Sequence, residues 1–322
     1  MFMNLVCTIS VLVSIGFFQV ATVPTEIETV RLKGRIAASV RSSLVGAPLK
    51  VHPPYPGWEL GMVSWVARDR KGLIYLLQRG EKAEPVVVLS AAGEYLRGWG
   101  KGMYTMPHSI RIDEAGNVWT TDAASSMVYK FSPQGSKLLE ISVGGQPSPC
   151  NNNFCGVTDV AFGPAGRVFI TDGYANARVL EYTADGKKVR EWGARGVKPG
   201  QFNLPHSIVI DEGNIIYVAD RENGRIEKFS LEGKFLGQLM GTGKTFSLAL
   251  AGGKLYAGAQ PRNLPNGSPG WILELDRNSG KILSYVESTR NHGIAISADG
   301  WLVGPGADGP WAFRTKAVSL AK

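Results

Sequence analysis

The sequence predicts an all-β fold, a six-bladed β-propeller, on three observations. A strand pattern recurs along the chain, and its equivalent positions Ile110, Val160, Ile208, Leu248 and Ile294 are separated by 50, 48, 40 and 46 residues. A period in this range is typical of propeller blades. The 322 residues include 40 glycines, which suit many tight turns between short strands. We find no substantial helical segment in the sequence.

Each repeat has the same order of elements. An alternating strand is followed by a glycine turn, an apolar strand, a variable loop, a third strand, a second turn and a fourth strand. The clearest copies begin at Ser109, Asp159 and Ser207, and weaker copies begin near Val63, Leu248 and Ile294. Four antiparallel strands form one blade, and six blades close a ring. Because the last copy is short, we expect residues near the N-terminus to supply its missing strand.

The chain divides into four segments. Residues 1–23 are interpreted as a signal peptide, because the apolar run 5–18 precedes the first charged residue, Glu26, and is too short to span a bilayer. A retained membrane anchor is the alternative. Residues 24–54 are expected to form an extended lead-in, residues 55–316 the propeller and residues 317–322 a tail. We expect a secreted or periplasmic monomer with no stable membrane association after cleavage.

The cysteine content bears on the redox compartment of the protein, and the charge bears on which partners it can bind. Cleavage would remove Cys7 and leave Cys150 and Cys155, which either form a disulfide in an oxidising compartment or remain independent thiols. The net charge is +8, but the basic residues are scattered, whereas nucleic-acid binding requires a basic stripe. We therefore expect a solvated basic surface and no nucleic-acid partner.

Three of the four histidines fall at one position of the repeat. His108, His206 and His292 directly precede the first strands of the second, fourth and sixth copies, whereas His52 is expected in a solvated loop. The first strand of each blade lines the central channel of a propeller. Three imidazoles from alternate blades should therefore meet on the axis, which is the arrangement of a zinc site with one open position.

A second set of polar residues is expected on the same face, in the loop after the second strand. Arg79 and Arg221 hold equivalent positions, and Tyr174 aligns with them if Gly173 is an insertion; Ala123 stands there in the second copy. Arginine pairs with a carboxylate, and a guanidinium and a metal favour ionised tyrosine, a plausible base. Alternatively, Tyr174 caps a loop and the arginines bridge blades. The aspartates ending the second strands are interpreted as turn-bracing residues: Asp122, Asp172 and Asp220.

Four longer motifs carry a resemblance to a known family. They are Phe154–Val160, the Asp-Gly-Tyr-x-Asn-x-Arg segment at 172–178, Phe202–Ser207 and Ala219–Arg225. Over about residues 55–310 the chain resembles the peptidyl-α-hydroxyglycine α-amidating lyases, which are NHL-repeat propellers. The resemblance implies cleavage of the C–N bond in a small peptide-derived substrate, giving an amide and glyoxylate.

The resemblance also implies roles for individual residues. His108, His206 and His292 would hold zinc, and the metal would bind the substrate α-hydroxyl. Tyr174 would remove the hydroxyl proton, Arg221 would hold the tyrosinate and Arg79 would position the substrate.

The chain also departs from the family pattern. Gly293 stands where the family has a calcium-binding aspartate, which counts against calcium in this chain. The family partner of the cysteine at 155 is replaced by Ala175.

Two other functions are compatible with the sequence. One is a non-catalytic NHL-repeat propeller that binds peptide or glycan ligands. The other is a different metal hydrolase, such as a lactonase, but lactonase propellers use carboxylate-rich calcium sites and the sequence contains no such ring. A zinc lyase is the interpretation that uses all of the observations above.

Overall fold

The computed structural model describes residues 25–42, 44–45, 49–145, 154–288, 291–297, 300–306 and 309–315. The predicted signal peptide, residues 1–23, and the predicted tail, residues 317–322, lie outside this part of the chain. The described residues begin with helix α1 (Thr25–Ala37), which is followed by the short strands β1 (Val40–Arg41) and β2 (Leu44–Val45). Among the described helices, none is long and apolar enough to cross a membrane.

The remaining strands build six sheets, numbered here in chain order. Sheet 1 contains β3 (Val63–Arg68), β4 (Ile74–Gln78), β5 (Val86–Leu89) and β6 (Tyr95–Trp99). Sheet 2 contains β7 (Pro107–Ile112), β8 (Val118–Asp122), β9 (Met127–Phe131) and β10 (Lys137–Ser142). Sheet 3 contains β11 (Val157–Phe162), a 3-10 turn (Pro164–Gly166), β12 (Val168–Asp172), β13 (Arg178–Tyr182) and β14 (Lys188–Trp192).

The second half of the chain continues the pattern. Sheet 4 contains β15 (Pro205–Ile210), β16 (Ile216–Asp220), β17 (Arg225–Phe229) and β18 (Phe235–Met240). Sheet 5 contains β19 (Lys244–Ala251), β20 (Lys254–Gln260), β21 (Gly270–Leu275) and β22 (Ile282–Ser288), with β1 added in parallel to β22. Sheet 6 contains β23 (Ala295–Ile296), β24 (Trp301–Gly306) and β25 (Gly309–Thr315), with β2 added antiparallel to β25.

The prediction of an all-β propeller is confirmed. Sheets 1 to 5 are five blades of four consecutive antiparallel strands, where the sequence predicted six such units. Sheet 6 departs from this unit because it has only three consecutive strands, and β23 has 2 residues. The N-terminal strand β2 supplies its fourth strand, as the short last repeat predicted.

Neighbouring sheets contact one another around the ring. The first strand of each sheet packs on the first strand of the next, from β3 through β7, β11, β15 and β19 to β23, and β23 and β24 contact β3. An apolar cluster of buried residues fills each interface between neighbouring sheets. The strands are therefore packed on both faces, which explains why a strand such as β4 is buried along its whole length.

The expectation of an extended, helix-free lead-in was wrong, because residues 25–37 form α1. The buried residues Thr29, Leu32 and Ile36 are spaced on one helical face, and the last two pack over the interface between sheets 4 and 5. The start of the helix carries the Thr25-x-x-Glu28 pattern of a capping box. This short signal was available in the sequence, but the strand repeats obscured it.

Candidate metal centre

The three histidines that the sequence singled out lie together at one end of the channel. His108 and His206 are the second residues of β7 and β15, and His292 lies just before β23. The pairing register of these inner strands shifts near the start, as it does in β3, β11 and β19. A bulge of this kind re-aims a side chain. The imidazole centroids are 4.8–4.9 Å apart in all three pairs.

Each imidazole is held by the equivalent residue of the following sheet. In every case Nδ1 contacts a backbone carbonyl: His108 to Thr158 at 2.6 Å, His206 to Phe246 at 2.6 Å and His292 to Ser64 at 2.9 Å. A carbonyl oxygen only accepts, so Nδ1 carries the proton and Nε2 keeps its lone pair. The backbone thereby fixes one tautomer and one ring orientation, as partners of metal-bound histidines do.

The electrostatic environment keeps the buried histidines neutral. His108 and His206 have no solvent-exposed surface, and burial lowers the pKa of each well below its usual value. Positive charge on His292 or on the nearby guanidinium groups lowers these pKa values further. Neutral imidazole is the form that binds a metal.

The donor set fits a zinc ion. One ligand nitrogen from each histidine lies within 4.8 Å of the other two. Three nitrogens around one tetrahedral zinc ion are roughly 3.4 Å apart, so an inward shift of under about 1 Å per ring is sufficient. The described residues thus offer three imidazole nitrogens close together, as the sequence predicted.

Tyr174 lies directly on this cluster. Its hydroxyl contacts Nε2 of His108 at 2.8 Å and Nε2 of His206 at 3.2 Å. Burial raises the pKa of Tyr174 to about 12, although Arg221 and Arg79 act to lower it. The two guanidinium groups therefore favour the ionised form, as expected, but burial outweighs them in the metal-free chain.

The backbone confirms how Tyr174 aligns with the arginines. Four residues donate a backbone N–H to the residue just before the first strand of their sheet: Arg79 to Met62, Ala123 to Met106, Tyr174 to Gly156 and Arg221 to Leu204. Tyr174 therefore holds the same position, with Gly173 as the extra residue. A Cβ atom on Gly173 would lie 2.1 Å from the Pro205 oxygen, so only glycine fits there.

Arg79 and Arg221 flank the tyrosine from two sides. Arg79 donates from Nε to the Pro107 oxygen at 2.9 Å and from Nη2 to Ser64 Oγ at 3.0 Å. Arg221 is 5% exposed, and its Nε donates to Glu222 Oε1 at 2.9 Å. These contacts fix both guanidinium groups beside the histidine cluster, which is where a substrate carboxylate or an ionised phenol would need them.

A cavity of about 720 Å³ opens over the cluster and brings together residues that the sequence did not connect. Tyr174, Arg79, Arg221 and His292 line it, as expected. Phe154, Phe246, Gln260 and Asn291 also line it.

Two of the additional residues contact the predicted ones. The Phe154 ring lies 4.8 Å from the Tyr174 ring, and the Phe246 ring lies 4.9 Å from the Arg221 guanidinium carbon. Phe246 could have been found, because it occupies in sheet 5 the position that histidine holds in sheets 2 and 4. The fifth repeat was too weak in sequence for that alignment.

A chain of contacts connects α1 to Arg221. Glu28 of α1 pairs with Arg262, and Arg262 donates to the backbone oxygen of Glu222. The Glu222 carboxylate accepts from Arg221, as described above, and Lys244 lies 3.6 Å from it. The segment that was interpreted as a lead-in therefore supports one wall of the site.

The strand-end aspartates brace loops, as the sequence predicted. Asp122 accepts four backbone N–H bonds from the two loops beside it. Asp220 accepts the Asn203 N–H at 2.6 Å and pairs with Arg225, and Asp172 pairs with Arg178.

Two further sequence predictions concern calcium and the cysteines. The residues present do not fit a calcium ion after the third histidine, because Gly293 has no carboxylate and its side-chain direction is filled by Trp65. Cys150 lies outside the described residues, so its pairing with Cys155 stays a prediction.

Comparison with known proteins supports the resemblance. Residues 202–229 match the NHL repeat model. The peptidyl-glycine alpha-amidating monooxygenase of Mus musculus is 31% identical over 76% of this chain, which spans only 29% of that protein. A probable peptidyl-alpha-hydroxyglycine alpha-amidating lyase of Caenorhabditis elegans is 29% identical over 76% of this chain and 79% of its own length.

A solved structure of streptogramin B lyase shares the fold, with a TM-score of 0.56 and 16% identity over 85% of this chain and 98% of that one. The similarity to the amidating proteins extends over most of the chain. The chain is therefore a homologue of proteins named peptidyl-α-hydroxyglycine α-amidating lyases, and it contains an NHL repeat.

Proposed function

We propose that this chain is a zinc-dependent lyase that cleaves the C–N bond of peptidyl-α-hydroxyglycine-like substrates. One observation carries the proposal: three histidine nitrogens lie close together beside a tyrosine hydroxyl, at a cavity that is also lined by two arginines. The family relatives support the same reaction class.

In this proposal Nε2 of His108, His206 and His292 holds the ion. Zinc bound there would supply a Lewis acid that makes a substrate hydroxyl easier to deprotonate. The backbone carbonyls at Nδ1 keep the rings oriented, and burial keeps His108 and His206 uncharged. A non-catalytic propeller would not need this set of neutral, oriented nitrogens beside a phenol.

The reaction requires one proton transfer at each end of the bond that breaks. In its ionised form, Tyr174 Oη takes the proton from the α-hydroxyl, and the electrons of that O–H bond form the carbonyl of glyoxylate. The C–N bond breaks, and its electrons leave with the nitrogen, which takes up a proton to become the peptide amide. No water or oxidant is consumed, so one hydroxyl, one acceptor and one proton donor are sufficient.

The two arginines act on the phenol of Tyr174 and on the substrate carboxylate. Arg221 lies beside Tyr174 and is fixed by Glu222, so it stabilises negative charge on the phenol oxygen. Two N–H groups of Arg79 are used by Pro107 and Ser64. We propose that its other N–H groups bind the substrate carboxylate.

The direct experiment combines metal analysis of the purified chain with a glyoxylate-release assay on a synthetic peptidyl-α-hydroxyglycine. We expect one zinc per chain and turnover that stops after chelation and returns with zinc. Zinc binding without glyoxylate release would refute the substrate and favour a binding propeller that grips peptide or glycan ligands. Loss of zinc in His206→Ala, with the fold retained, is the expected result for the ligand assignment.

The remaining expectations from the sequence form part of the same proposal. We propose that sheet 6 serves as a sixth blade that closes the ring, that residues 1–23 are cleaved, and that the mature protein is a secreted or periplasmic monomer. We also propose a Cys150–Cys155 disulfide, which non-reducing peptide mapping of the secreted protein tests.

A further inference from the structure

The channel below the three histidines is filled in layers, and each layer has one large side chain. The residues directly after the bulge positions are small or short in five sheets: Ser109, Asp159, Ser207, Ser247 and Gly293. In sheet 1 the equivalent residue is Trp65, which is fully buried. Side chains two residues apart lie on the same face of a strand, so the next layer contains Arg111 among small residues: Ala67, Ala161, Val209, Ala249 and Ala295.

Trp65 forms the floor of the histidine cluster. Its ring centroid lies 6.0 Å from that of His108, 6.4 Å from that of His206 and 5.6 Å from that of His292. One indole therefore packs beside all three candidate ligands. Close packing on this side limits the positions that the imidazoles can adopt.

Arg111 fills the channel in the layer below Trp65. Its guanidinium carbon lies 5.0 Å from the Trp65 ring centroid, within the range of a cation–π contact. The same group makes a bidentate pair with Asp159 at 3.0 and 2.5 Å and donates to Ser207 Oγ and the Leu248 oxygen at 3.1 Å. Arg111 on β7 thus reaches strands β11, β15 and β19 across the channel.

The packing around Gly293 explains why the channel has no room here for the calcium ion of the family pattern. A Cβ atom at this position would lie 2.5 Å from two atoms of the Trp65 ring and 2.7 Å from its Cα atom. An aspartate here would collide with the indole. The Trp65 ring therefore already occupies the place beneath the third histidine. The positive charge inside the channel is that of the Arg111 guanidinium group.

We infer that Trp65, Arg111 and Asp159 form a permanent plug that takes over the role of a structural ion. Trp65 acts as a positioning residue for the three histidines, and the plug leaves the site open from one face only. The inference rests on the proposed metal site but not on the proposed reaction.

Cobalt binding tests the inference without any assay of activity. Co²⁺ quenches the fluorescence of a nearby indole. Titration of the metal-free protein with Co²⁺ is therefore expected to remove the part of the total tryptophan fluorescence that Trp65, one of the 8 tryptophans, contributes. Trp65→Phe should bind Co²⁺ and lose this quenching, whereas the matched control Trp192→Phe, changed on the outer strand β14, should retain it. Undiminished quenching in Trp65→Phe overturns the inference, and so does a failure of the wild-type protein to bind Co²⁺.

Metal affinity tests the positioning role. Trp65→Ala is expected to weaken Co²⁺ binding tenfold or more, in the range seen when residues that support metal ligands are removed, and Trp65→Phe should keep most of the affinity. Wild-type affinity in a folded Trp65→Ala protein would contradict the role. Metal binding with this pattern but no glyoxylate release would support the inference and refute only the reaction.

Calcium gives a test that needs no variant. The melting temperature of the wild-type protein should be the same in excess EGTA and in millimolar calcium, because the plug leaves no place for the ion. A rise of roughly 5 °C or more with calcium, the size expected for a saturated structural site, would overturn the inference.

Discussion

Removal of one hydroxyl, in Tyr174→Phe, should greatly reduce turnover and yet tighten zinc binding. In the metal-free chain the Tyr174 hydroxyl contacts Nε2 of His108 at 2.8 Å and of His206 at 3.2 Å. These are the nitrogens that the ion would take, and both are acceptors, so the single hydroxyl proton makes one hydrogen bond that is shared between them and that zinc binding must break. A typical buried hydrogen bond stabilises by about 0.5–1.5 kcal/mol, so it opposes zinc by roughly a factor of 2 to 13 in affinity.

The assay is zinc competition with a chromophoric chelator, measured beside glyoxylate release. Tyr174→Phe should bind zinc about fivefold tighter than wild type, while turnover falls by about 10² to 10⁴, the usual contribution of a general base. The matched control is Tyr182→Phe, which changes a buried tyrosine on β13 in the core between sheets 2 and 3. A Tyr174→Phe protein that loses zinc would refute the reasoning, because Tyr174 would then be a ligand.

Three further predictions follow from the same structure. His206→Ala should weaken zinc binding by more than about a hundredfold, beyond the loss caused by changes to supporting residues; equilibrium dialysis measures it, and wild-type affinity would exclude the ligand role. Glu222→Gln should lower kcat/KM about fivefold with an unchanged melting temperature, because a partly exposed pair that fixes Arg221 contributes about 1 kcal/mol; an unaltered kcat/KM would show that the pair is dispensable. Burial raises the pKa of Glu227 from 4.5 to about 7, so the folded chain keeps a proton that the unfolded chain releases, and stability should fall by about 3 kcal/mol between pH 4.5 and 7. Denaturant melts against pH check this, and Glu227→Gln should remove that part of the slope; identical slopes in both proteins would contradict it.

The repeats made most of the fold predictable from the sequence. Strand ends such as Asp122, Asp172 and Asp220 recur because each braces the same pair of loops, and a recurring constraint leaves a recurring pattern. Helix α1 was missed because its signal is local and short, and its burial depends on a groove between sheets 4 and 5 that exists only after the ring has formed.

The candidate site was predictable to the same extent. The three histidines were found because they share one repeat position, and the register of Tyr174 was found because Gly173 could be recognised as an insertion. The plug of Trp65 and Arg111 was not found, because its residues lie in different repeats and the pattern consists of small residues that leave room. Such a layer is visible only when the inner strands are aligned in register.

X-ray absorption spectroscopy of the zinc-loaded protein tests the central claim most directly. The account predicts one zinc per chain, with three imidazole nitrogens at roughly 2.0–2.1 Å, and the loss of one imidazole in His292→Ala. A purified protein that binds no zinc at a stoichiometric dose, or a bound ion with fewer than three imidazole ligands, would contradict it.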